Sequence, residues 1–305
     1  MLHDFAYRLQ AISCMSTFSR TFITRSVTAV VFVAIMLMGL LLNRYSFLIL
    51  FILIAAGCMV EYQQLMHLVM VRFSKSKEVE KPNPVQRIAM WLGVSGILLM
   101  GVGGALPAHS LRIDVIGFDV LMISFVLIPL SELFIGSFRW VSALFSLIGC
   151  LYVGLAPAFM IYFRWQQVNK DVQWIPVIII GCVWVNDTMA YLTGSLLGKH
   201  KLWPAVSPGK TWEGTLGGIL CTVALSFAAS WIWPLFNQWH WMSIALLVGI
   251  SGTLGDLLES GWKRMAGVKD SGRLMPGHGG MLDRFDSLLV ATPIVWLYVH
   301  VWMFR

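Results

Sequence analysis

The chain has 305 residues, of which 58% are hydrophobic and 12% charged, and a formal net charge of +7. A soluble domain carries about twice that charged fraction, which excludes a water-soluble globular fold. Apolar runs of about eighteen residues or more recur, so the chain is read as an all-α, polytopic integral membrane protein; the alternating segments of about ten residues that mark a transmembrane β-barrel are absent.

In chain order, residues 1–25 come first. They mix polar and apolar side chains and lack a long apolar stretch or a small-residue cleavage site, so a cleaved signal peptide is not expected. Phe5, Leu9 and Ile12 fall at helical spacing, which suits a cytoplasmic or interfacial helix, and Met15 offers a second start. Nine spans then follow, at roughly 26–42, 46–70, 88–107, 114–136, 140–163, 173–196, 213–235, 241–260 and 285–304. Residues 26–172 form an N-terminal transmembrane region, and residues 173–305 form a C-terminal region that carries the polar motifs. The five Cys (14, 58, 150, 182 and 221) show no CxxC spacing, and four lie within or at the ends of apolar runs. They are read as small apolar side chains. The run "GVGGA" at 101–105 is read as helix packing.

Basic residues set an orientation. With the N-terminus in the cytoplasm, seventeen of the 22 Lys and Arg fall inside: Arg8, Arg20, Arg25, Arg72, Lys75, Lys77, Lys81, Arg87, Arg139, Lys199, Lys201, Lys210, Lys263, Arg264, Lys269, Arg273 and Arg284. Arg44, Arg112, Arg164, Lys170 and Arg305 remain outside. That asymmetry favours an odd number of spans in this orientation. The positive charge is first a topology signal and second a hint of anionic partners; nucleic acid is not among them.

Acidic residues in or near apolar spans are costly and invite functional readings. Glu61, Asp119 and Glu132 stand alone and are read as lying near span ends against headgroups or water. The others cluster. In "GDLLESGWKRMAGVKDSGRLMPGHGGMLDRFDS", residues 255–287, Asp256, Glu259 and Lys263 share one helix face, and Asp283 and Asp286 share a face of the next helix start. Glycines and Pro276 between them reverse the chain and can bring the acidic faces together. Converging carboxylates beside Lys and Arg suit Mg²⁺ shared with a polyphosphate. His278, in the turn, is a candidate phosphate donor. The second cluster, "NDTMAYLTGSLLGKHKLWPAVSPGKTWEG" at 186–214, places Asp187 inside a span. It follows with a loop bearing Lys199, His200, Lys201, Ser207, Lys210 and Thr211, which suit phosphate oxygens. Glu213 is either part of that site or a plain partner of the helix dipole. No P-loop, HExxH or Cys/His metal spacing is present.

The segment 259–287 closely resembles the signature of the phosphatidate cytidylyltransferase (CDP-diacylglycerol synthase) family. The resemblance is carried by Ser260, Lys263, Arg264, Lys269, Asp270, Gly272, Pro276, His278, Gly279, Gly280, Asp283, Arg284 and Asp286. Trp262 and Met275 stand where a smaller aliphatic residue or Phe is usual, which bears on pocket shape. The D-T-x-A-Y segment and S-P-x-K-T-W-E-G segment of the same family are matched within 187–214. The strong match covers roughly residues 175–290.

The resemblance implies a nine-span helical homodimer in the bacterial inner (plasma) membrane with its active site facing the cytoplasm. It implies CTP plus phosphatidate giving CDP-diacylglycerol and pyrophosphate, with Mg²⁺ and optionally a second, monovalent cation such as K⁺. Asp256 and Asp283 correspond to metal-binding aspartates, with Asp286 close by and Glu259 in support. Lys263, Arg264, Lys269 and Arg284 would clamp phosphates. Ser207, Lys210, Gly279 and Gly280 would contact the nucleotide or lipid phosphate. Asp187, Asp270 and His278 complete the expected set. A paralogue acting on another lipid phosphate is the nearest rival. A transporter or sensor would scatter its acids through the spans as a relay, whereas here they concentrate at the ends of the last four.

Overall fold

The computed structural model describes residues 26–73, 83–105, 112–134, 140–167, 170–272 and 279–303. The expectations for residues 1–25, Arg273, Met275, Pro276 and His278 lie outside the described residues. Helices run in order as α1 (Ser26–Leu41), α2 (Arg44–Phe73), α3 (Pro84–Gly103), α4 (Ile113–Phe134), α5 (Trp140–Trp165), α6 (Ile175–Leu197), α7 (Trp212–Ile232), α8 (Gln238–Ala266) and α9 (Leu282–Trp302). A 3₁₀ turn, Asp171–Trp174, leads into α6. Among the described residues eight helices, α2 to α9, are long and apolar enough to cross a membrane, and α1 is shorter. The nine apolar segments read from hydropathy are therefore all helices, and the protein is an all-α polytopic membrane protein.

Local chemistry sets several helix ends. Asn83 caps α3 by accepting from the amides of Val85 at 3.0 Å and Gln86 at 3.4 Å, with Pro84 supplying a first residue that needs no donor. Asn237 caps α8 through the amide of Trp239 at 3.1 Å. α8 stops at Gly267, whose φ of +75° is cheap only for glycine, while the amides of Gly267 and Val268 close back on the carbonyls of Arg264 and Lys263.

α3 packs on α4 and α5, and α2 packs on α5; α6, α7, α8 and α9 pack in succession, and the α5–α9 and α2–α8 contacts join the two sets. Where lipid replaces water, apolar side chains gain little by leaving solvent, so close backbone approach carries more of the association. A Cβ on Gly96 would sit 2.7 Å from the Gly117 carbonyl oxygen, and one on Gly101 would overlap the Ala158 carbonyl. The glycine run at 101–105 thus packs α3 on α5 at Gly101 and on the start of α4 at Gly103, as its composition indicates. Phe47, Phe51, Tyr62 and Phe163 fill the core, and Cys58, Cys150 and Cys182 are buried among apolar neighbours. Leu196, Leu220 and Ile232 face outward, as a lipid-facing surface requires.

Three expectations are corrected. Residues 197–212 are not a plain loop: Lys201–Trp203 (β1) and Ser207–Thr211 (β2) pair antiparallel, in register Lys201 to Thr211 and Trp203 to Ser207. Glu61 and Glu132 do not meet headgroups or water, because both are buried within the bundle.

Gly101→Val should destabilise the bundle by about 1–3 kcal/mol, the usual cost of forcing extra carbon into a packed interface. Gly181→Ala, where a Cβ would meet nothing within 4 Å, should leave thermal melting in detergent unchanged or raised. Equal melting of the two variants would contradict the packing assignment.

Candidate active site

The C-terminal turns of α8 carry Asp256, Glu259, Ser260, Lys263 and Arg264. Helical spacing places Lys263 one turn beyond Glu259, and their ion pair closes at 2.7 Å. The same ammonium donates to Asp283 Oδ1 at 2.6 Å, so one lysine joins α8 to the first turn of α9. Glu259 is wholly buried and the Lys263 side chain is 11% exposed, which makes this a low-dielectric contact.

Asp283 uses its other oxygen to organise the turn before α9. Oδ2 accepts from the amides of Gly280 at 2.7 Å and Ser271 at 3.0 Å. Gly279 has φ +84°, and a Cβ there would lie 2.7 Å from Asp283 Oδ2. Only glycine lets the backbone wrap this closely around the carboxylate. Glu61 reaches in from α2 and accepts from the amides of Met281 at 2.9 Å and Leu282 at 2.8 Å and from Ser271 Oγ at 3.0 Å. A carboxylate thereby satisfies orphan donors at the α9 N-terminus, where the helix dipole also favours it. A side chain on Gly280 would overlap Glu61 Oε2.

The hairpin closes the site from the other side. Lys210 on β2 pairs with Asp256 Oδ2 at 2.5 Å, and Ser260 Oγ donates to Asp256 Oδ1 at 3.1 Å. Arg264 Nε donates to the Val206 carbonyl at 3.1 Å, tying the hairpin turn to the end of α8. Asp187 is exposed on α6 within electrostatic reach of Asp256 and Lys210. Asp286 is buried on the α8-facing side of α9, within reach of Asp256, Glu259 and Lys263. The close α8–α9 approach there needs Gly255, whose added Cβ would be 2.5 Å from the Asp286 carbonyl oxygen.

Asp187, Lys210, Asp256, Glu259, Lys263, Asp283 and Asp286 are therefore brought to one end of the bundle. Ser207 is half-buried on β2, while Lys269 and Asp270 are exposed beyond the end of α8 and Arg284 is exposed on α9. Glu213 lies in the first turn of α7, where the helix-dipole reading places it, and it also accepts from His200 Nδ1 at 2.6 Å and from the amides of Lys199 and His200, pinning the start of the hairpin. Thr211 caps α7 through the amide of Gly214 at 3.1 Å. Trp262 packs edge-on against Tyr62 and Tyr152, with ring centres 5.6 and 5.0 Å away, and so sits inside the bundle. Glu61 is the site residue that the sequence places wrongly, at a span end against headgroups or water. Its only signal was a carboxylate inside an apolar span.

Among the described residues no three His, Cys, Asp or Glu side chains converge closely enough to hold a metal alone. The donor set nevertheless fits a hard divalent cation. Carboxylates outnumber the lysines among them, and Mg²⁺ commonly takes one or two carboxylates and completes its shell with phosphate oxygens and water.

A sequence model of the cytidylyltransferase family matches residues 23–302. A phosphatidate cytidylyltransferase of Staphylococcus saprophyticus is 34% identical over 276 residues, covering 90% of this chain and 95% of that protein. Proteins of the same name from Staphylococcus aureus and Staphylococcus epidermidis are 39% and 40% identical over 178 and 177 residues. Those two alignments cover 58% of this chain and 66% of each relative, just under two thirds of their length.

Lys263→Ala should cost about 3–5 kcal/mol of stability, because it strands buried carboxylates without a counter-charge. Adding Glu259→Gln should recover part of that loss in detergent unfolding. No recovery would contradict the ion-pair assignment.

Proposed function

The chain belongs to the cytidylyltransferase family, and on that premise we propose that it transfers CMP from CTP to phosphatidate, giving CDP-diacylglycerol and pyrophosphate. The observation that supports this reading best is the meeting of the two motif segments at one end of the bundle. Lys210 from the hairpin contacts Asp256 on α8, and Lys263 on α8 contacts Asp283 on α9. A soluble nucleotide and a lipid headgroup must meet at the edge of a membrane, and this cluster of alternating cations and carboxylates lies at span ends. The excess of basic residues in the loops on this side favours a cytoplasmic setting.

In the proposed reaction a phosphatidate oxygen attacks the α-phosphorus of CTP in line. The new bond joins that oxygen to the α-phosphorus. The bond from the α-phosphorus to the bridging oxygen breaks, and pyrophosphate leaves with the electron pair. Both reactants are anions, so positioning and charge neutralisation matter more than a strong base. Lys210, Arg264, Lys269 and Arg284 supply positive charge to the incoming phosphates, and Ser207 and the Gly279 backbone supply donors. Lys263 holds Asp283 and Glu259 in place and can share its charge with a bound phosphate. Asp256 and Asp283 would hold Mg²⁺, with Asp187 and Asp286 adjacent; the ion would neutralise the triphosphate and favour departure of pyrophosphate.

Asp256→Asn should lower CTP-dependent lipid product formation by about 100-fold or more, in the range seen when a group acting on transition-state charge is removed. Its melting in detergent should stay close to that of the parent, because the Asp256 side chain is part-exposed, Lys210 can turn to solvent, and the Asn amide oxygen can still accept from the buried Ser260 hydroxyl. Turnover near the parent's would overturn the assignment of Asp256.

A further inference from the structure

A second polar feature lies at the opposite end of the bundle. Arg44, Arg164, Trp165, Gln167 and Gln173 line a cleft of about 420 Å³, a size that suits a small ligand or a lipid headgroup. Arg44 opens α2, Arg164 and Trp165 close α5, and Gln173 lies in the 3₁₀ turn before α6. Glu61, which organises the motif end, is seventeen residues further along α2, about 25 Å at the helical rise. The cleft is therefore separate from the site described above.

Aromatic rings fix both arginines. The guanidinium carbon of Arg44 lies 5.1 Å from the ring centres of both Tyr45 and Trp165, and that of Arg164 lies 5.6 Å from Trp174. Among the described residues no carboxylate pairs with either arginine, and none lines the cleft. Arg164 Nε and Trp165 Nε1 are buried without a hydrogen-bond acceptor. Interfacial arginines commonly snorkel to headgroups one by one. Here two of them, from helices distant in sequence, are held by rings around one cavity whose described lining has donors in excess and no carboxylate. Tyr and Trp at helix ends also mark headgroup depth.

We propose that this cleft binds a phosphate-bearing anion through Arg44 and Arg164, at the membrane face opposite the motif end. Guanidinium groups offer forked donors that match phosphate oxygens, and Trp165 and Gln167 add neutral donors. The phosphate belongs to a phospholipid headgroup or is free.

The test uses the full chain purified in detergent and titrated with dihexanoyl-phosphatidylglycerol, with inorganic phosphate, or with chloride at matched ionic strength. Melting temperature is the readout. The parent protein should show a saturable upward shift with the lipid, and the half-saturating concentration should rise about tenfold in Arg44→Gln and in Arg164→Gln. Arg164→Lys should fall between. The same saturable, arginine-dependent shift with inorganic phosphate alone identifies free phosphate as the ligand. Arg44 is exposed at a helix start, so Arg44→Gln decides the matter alone should Arg164→Gln fail to fold. An unchanged half-saturation in Arg44→Gln, or a shift that chloride reproduces, overturns the site.

Discussion

A single buried ammonium fixes the geometry on which the motif end depends. Lys263 lies 2.7 Å from Glu259 on its own helix and 2.6 Å from Asp283 on the next. In a medium of low polarity, carboxylates this close cannot stay charged without a cation between them. The lysine therefore sets the rotation of α8 and the register of α9 together. Asp283 passes the constraint on, since its second oxygen gathers the amides of Ser271 and Gly280. Glu61 extends it to α2 by holding the first amides of α9. Three helices and the turn between two of them are thus tied through two carboxylates and one lysine.

The surrounding bundle suits that polar end because it is built on a different principle. Through the spans, small residues bring backbones close, as at Gly96 with Gly117 and Gly101 with Ala158. At the ends, where lipid gives way to headgroups and water, charge and hydrogen bonds take over. Lys210 and Arg264 dock a short hairpin on the end of α8. Glu213 and Thr211 fix where that hairpin begins and where α7 starts. The polar face is consequently shaped by rigid elements on several sides, which is what the proposed transfer between two anionic reactants would require.

Much of this was legible in the sequence, for identifiable reasons. Hydropathy located all nine helices because each long apolar run must satisfy its own backbone in lipid. Helical spacing put Asp256, Glu259 and Lys263 on one side of α8, and the Pro- and Gly-rich segment announced a reversal that brings Asp283 to Lys263. The hairpin at 201–211 escaped notice because its strands are short and its tip, Pro204 to Val206, reads equally well as loop. Glu61 was misjudged because the donors it satisfies lie more than two hundred residues away. Only tertiary structure distinguishes such a carboxylate from one that meets water at a span end. The same limit hid the partner of Glu213, since an acid at a helix start has a sufficient local explanation in the helix dipole.

CMP transfer is tested most directly by following the two ends of the triphosphate. Purified protein would be incubated with phosphatidate, Mg²⁺ and CTP labelled with radiophosphorus at either the α or the γ position. In-line attack at the α-phosphorus predicts α-label in the extracted lipid and γ-label in pyrophosphate, both dependent on phosphatidate. Label entering the lipid from the γ position, or α-label that never reaches lipid, would contradict it.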